Sequence, residues 1–123
     1  MDEVKEKVLT AEEKIFQALN IAIMRMSPIA EHFKAAGAEA RLGLDYLFLA
    51  KKQLAKLENK EDADHLFGYL LLARDEIKKF IKTSRKMGIA TRQTTKDAYT
   101  AVRNINIALL QQHKIEHALK QLA

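Results

Sequence analysis

The chain contains no cysteine. Disulfide frameworks, zinc-thiolate sites, iron–sulfur ligation and cysteine nucleophiles are therefore excluded from the outset. There is no tryptophan, only one proline and only four glycines among 123 residues. A β-rich fold with many turns needs more breakers than that. Long hydrophobic runs are also missing: the longest, Leu66–Ala73, is far too short to span a bilayer. The opening MDEVKEKV is charged and carries no secretory hydrophobic segment, so the expected setting is soluble and cytoplasmic, with no membrane partner. Neither a Gly-rich phosphate loop nor a G-x-S-x-G elbow occurs.

What is present is helix-forming. Apolar residues make up 48% and charged residues 30%, and Ala, Leu, Lys and Glu dominate. The length suits a single domain, residues 1–123, able to build one core. Val4, Val8, Ala11, Ile15, Leu19, Ala22, Met26, Ile29 and Phe33 follow a three-four rhythm. That rhythm predicts a first helix to about Ala36, kinked or broken near Pro28, with the unbroken rhythm favouring the kink. Gly37 is expected as its left-handed terminator. A second helix is expected over Ala38–Leu57, with Leu44, Leu47, Phe48 and Leu54 on its core face. A third is expected over Glu61–Met87, ended by Gly88, and a fourth over Arg92–Leu122. The spacing predicts an all-α fold, an antiparallel up-and-down four-helix bundle.

Three features stand out from that pattern. Leu42, Tyr46, Leu49 and Leu72 lie off the main stripes of their helices, as do Ile107 and Leu110. A bundle helix needs one apolar stripe, so the first four define an expected association surface, pointing to a homo-oligomer or a docked partner. Asp45 and Arg74 are lone charges inside apolar stretches. A hairpin turning near residue 60 places them at one level, which predicts a buried polar pair, in the same chain or across a dimer. From Ile77 to Lys96 there are seven basic residues and no acidic one: Lys78, Lys79, Lys82, Arg85, Lys86, Arg92 and Lys96. Lys34 and Arg41 are expected at the same end, with the acids Asp2, Glu3, Glu6, Glu58, Glu61, Asp62 and Asp64 collected at the other. The formal charge of +5 thus conceals a dipolar molecule.

The basic residues, with the hydroxyls of Thr91, Thr94 and Thr95, suit phosphate. The expected partner is a nucleic-acid backbone or an acidic protein, and the absence of an aromatic between Ser84 and Asp97 argues against base stacking. No helix-turn-helix pattern and no R-x(4–6)-H nuclease motif occurs; Arg103 is ten residues from His113. His113-Lys-Ile-Glu116-His117 matches H-x-x-E-H, so His113, Glu116 and His117 are candidate metal ligands. Such sites need a third ligand from a distant element, and none is apparent. A di-iron bundle would need Glu-x-x-His, which is absent; Asp62-x-x-His65 is the nearest and sits at a turn. No cofactor is expected. The reading that follows is a non-enzymatic interaction module that self-associates and presents a basic end to an anionic partner. A protein-binding adaptor without a nucleic-acid role is the alternative, and a metal-binding bundle or small enzyme the third.

Overall fold

The computed structural model describes residues 2–33 and 37–122. Four helices follow in order: α1 Asp2–His32, α2 Ala38–Leu54, α3 Lys60–Lys86 and α4 Arg92–Leu122. Each packs against its neighbours in sequence, and α1 closes the ring against α4. The fold is the expected four-helix bundle. α1 and α4, about 46 Å long at 1.5 Å per residue, outreach α2, which has only 17 residues.

The core draws on all four helices. Ile15, Leu19, Ala22 and Met26 of α1 meet Leu44, Leu47 and Ala50 of α2. Leu66, Leu70, Ala73, Ile77 and Phe80 of α3 and Ala98, Ala101, Ile105, Ala108 and Ile115 of α4 complete it. These are positions three and four apart, as an amphipathic helix requires. Gly43 permits the close approach of α2 to α3, because a Cβ there would lie 2.8 Å from Cγ1 of Ile77. Gln112, 1% exposed, donates from Nε2 to the carbonyl of Ala63 at 2.9 Å, pinning α4 to the first turn of α3. Satisfied in this way, a buried amide sets register without an unmet hydrogen bond.

Local chemistry explains the helix ends. α1 runs uninterrupted through Pro28, so it is not broken there. Pro28 is exposed, and the carbonyl its missing N–H would have served belongs to Met24, 68% exposed and open to water. The hydroxyl of Ser27 donates to the carbonyl of Ile23 at 2.7 Å. Gly37 is not the left-handed terminator expected of it. Its φ is −120°, it caps α2, and a Cβ on it would lie 2.5 Å from the Phe33 carbonyl oxygen. Steric room, not a positive φ, demands glycine there.

α2 stops three residues earlier than expected, with Ala55 as its C-cap, and Asn59 and Asp62 open α3 with a capping box. Oδ1 of Asn59 accepts from the Asp62 amide at 2.9 Å, and Oδ2 of Asp62 accepts from the amides of Asn59 and Glu58. Gly88 ends α3 as expected. Its φ is +70°, Ile89 donates to the carbonyl of Ser84, and Gly88 donates to that of Arg85, a complete Schellman arrangement.

Candidate anion-binding groove between α3 and α4

The seven basic residues from Lys78 to Lys96 are all exposed, but they do not form one patch. Lys78, Lys82 and Arg85, at i, i+4 and i+7, run along the flank of α3 that faces α4. With Ile81 and Tyr99 they line a groove of about 360 Å³ between the two helices. Lys79 is turned to the other flank. It holds Glu76 at 3.0 Å, with Asp75 and, across on α2, Glu39 adding attraction. That hydrogen bond and the neighbouring carboxylates push the Lys79 ammonium above its ordinary pKa. Lys79 is therefore paired with Glu76 on that flank and does not line the groove. Among the described residues Lys78, Lys82 and Arg85 have no ion-pair partner.

Tyr99 is the residue that sequence inspection missed. It lies three residues beyond the basic stretch along the chain, yet the antiparallel packing of α3 and α4 brings it among Lys78, Lys82 and Arg85. Its side chain is 46% exposed. No aromatic lies between Ser84 and Asp97, and packing brings Tyr99 in from beyond that stretch. Helical spacing places Arg92 and Arg103, seven before and four after Tyr99, on the same flank of α4.

The hydroxyls of the Thr91–Lys96 stretch are less available than expected. Oγ1 of Thr91 caps α4 by accepting from the Thr94 amide at 3.1 Å and lies 2.9 Å from Oγ1 of Thr94. The Thr95 hydroxyl donates back to the Thr91 carbonyl at 3.1 Å. The threonines serve the helix terminus, and the cations carry whatever attraction the region has for anions. At this end, too, Asp97 holds Arg25 of α1 at 3.2 Å and Gln93 at 2.9 Å. Lys78, Lys82 and Arg85 thus lie together on the α3/α4 face, while Arg25 at the same end is paired with Asp97. Lys34 lies outside the described residues, and Arg41 approaches Asp45 at 3.8 Å.

Within the chain the expected Asp45–Arg74 pair does not form. Asp45 is 56% exposed on the outer side of α2. Arg74 sits on the α4 flank of α3 and donates from Nη1 to Oδ1 of Asn106 at 3.2 Å. The two residues share a level along the hairpin, as Gly43 beside Ile77 shows, but they point in different directions around their helices. Nε of Arg74 is buried and meets no acceptor.

Leu42, Tyr46, Leu49 and Leu72 lie along the α2/α3 flank. Glu39 and Gln53 of α2 reach toward α3, one beside Lys79 and the other donating to the carbonyl of Asp62. Tyr46, Leu42 and Leu49 lie between them on the same flank. Leu72 precedes Lys79 by two turns on the facing flank of α3. Leu42, Leu49 and Leu72 are 40%, 41% and 43% exposed, while Tyr46 is half-buried. Phe48, expected in the core, is instead 49% exposed. It lies one turn before Lys51, whose Nζ sits 5.2 Å from the ring centroid of Phe16.

His113 and His117 are exposed and border a separate groove with Glu3, Lys7, Thr10 and Lys14 of α1. Glu116 does not join them and lies 3.8 Å from Lys120. Among the described residues no three His, Asp or Glu side chains are placed to hold a metal ion. No described helix is long and apolar enough to cross a membrane. Compared with known families, curated proteins and solved structures, the chain matches none.

Proposed function

We propose that the chain is a non-enzymatic interaction module whose α3/α4 face binds the phosphate backbone of a nucleic acid. One observation carries this reading: Lys78, Lys82 and Arg85 converge with Tyr99 in one groove, without ion-pair partners among the described residues. Cations along one rim of a groove attract a polyanion by counterion release, without reading its sequence. Lys86, Arg92 and Lys96 extend the positive field beyond the groove. Self-association through Leu42, Tyr46, Leu49 and Leu72 belongs to the same proposal, since two copies would double the basic surface offered to one strand.

Reversing Lys78, Lys82 and Arg85 to glutamate tests the proposal. Binding to a labelled oligonucleotide pool is expected to be lost, while reversal of Lys5 and Lys7 at the opposite end of the bundle leaves it in place. Equal loss from both sets would reduce the groove to one part of a general positive charge. A second reading, a protein-binding adaptor, is favoured by Phe16, Phe48, Phe67 and Leu110, all exposed. It predicts retention of a protein partner by the triple reversal.

A further inference from the structure

We infer that the groove between α3 and α4 takes a single strand of nucleic acid, with a base laid on the ring of Tyr99, in preference to a duplex. This rests on the reading of the groove as a phosphate-binding face. An exposed tyrosine on a bundle helix leaves part of an apolar ring in water, and Tyr99, in the third turn of α4, does so beside Lys78, Lys82 and Arg85. The other two tyrosines, Tyr46 and Tyr69, pack against the core. On the α3 rim Lys78, Lys82 and Arg85 extend over about 10 Å of helix, with Tyr99 of α4 across from them. A strand lying along the groove has its phosphates within reach of those cations. Its bases, being free of partners, can turn onto the ring.

Base stacking on an aromatic is tolerant of sequence and adds to the electrostatic attraction. In a duplex each base is already covered above and below. Tyr99 then gains nothing unless a base leaves the stack, and the rim cations are all that remains.

Three probes separate the contributions: an oligothymidylate of about ten nucleotides, a duplex of the same length, and inorganic polyphosphate, which has charge but no base. The strand is expected to bind roughly tenfold more tightly than either, a difference within the range of one stacked base. Tyr99→Ala is expected to abolish that difference, and Tyr99→Phe to keep it. Since the chain has no tryptophan, tyrosine emission can be followed directly. Binding of the strand should quench part of it in the parent and none of that part in Tyr99→Phe. Circular dichroism of each variant establishes that the bundle is intact. Duplex or polyphosphate bound as tightly as the strand, or a Tyr99→Ala variant with unchanged preference, would overturn the inference and leave the phosphate-binding reading standing. Failure to bind any of the three probes would remove both.

Discussion

Arg74 has five N–H donors and a poor set of acceptors. One bond goes to Asn106, while Nε is buried without a partner. An unmet buried donor costs about 1–3 kcal/mol, so removing the guanidinium while keeping its apolar stem costs little. Arg74→Met is therefore expected to leave stability within about 1 kcal/mol of the parent, and Asn106→Leu, whose exposed hydrogen bond to Arg74 water can replace, should likewise change it by less than about 1 kcal/mol in chemical denaturation. Asp45 is exposed and only loosely held by Arg41. A 45/74 double-mutant cycle should show coupling no larger than about 0.3 kcal/mol. The sequence shows the level of both residues, because level follows from counting along a hairpin. It does not show their direction, because a core stripe two residues wide leaves each flank undecided until the neighbouring helix is placed. Glu12 makes a separate residue-scale prediction. It borders the α1/α2 crevice beside Phe16 and Leu54, and burial pushes its carboxyl above the ordinary value. Its folded pKa exceeds its unfolded one, so stability is fullest below the carboxylate range and falls as pH rises through the raised value. Glu12→Gln should raise Tm at neutral pH and leave it unchanged in acid.

Among the elements, the contact of α2 with α3 is the most exacting, because Gly43 brings the two helices together. Alanine there gains helix propensity but forces its Cβ onto Ile77, which is fully buried. Gly43→Ala should cost about 1–3 kcal/mol. Gly68, also helical, has open space where its Cβ would lie, so Gly68→Ala should stabilise by about 0.5–1 kcal/mol. Opposite signs in thermal melts are the check; equal signs would deny that Gly43 is there for packing. Four helices were legible because their apolar residues recur over many turns, and α4 matches its expected bounds. The start of α3 is set by side-chain capping. Asn59-Lys-Glu-Asp62 is a capping box with aspartate in the place of the commoner glutamate, and it starts α3 at Lys60, one residue before the expected Glu61. Gly37 was legible as a break but not as a steric necessity, since its reason lies in the carbonyl of Phe33.

At the scale of the whole molecule, charge and exposed apolar surface divide by face. The α3/α4 groove is cationic, and the α2/α3 flank presents Leu42, Leu49 and Leu72. Exposed apolar patches of this kind favour association. Sedimentation should show a concentration-dependent oligomer that Leu49→Glu and Leu72→Glu convert to monomer; a parent that stays monomeric at high concentration would refute self-association. The run of basic residues was plain in the sequence. Its division was not: Glu76 and Glu39 claim Lys79, and Tyr99 arrives from the next helix, both through packing between helices. The central claim, that the groove binds a nucleic-acid backbone, is tested most directly by the salt dependence of affinity for a single strand. Neutralising three to five phosphates predicts a fall of log K against log salt with a slope of about −2 to −4, flattened by reversing Lys78, Lys82 and Arg85. Binding indifferent to salt, or a slope unchanged by those reversals, would contradict it.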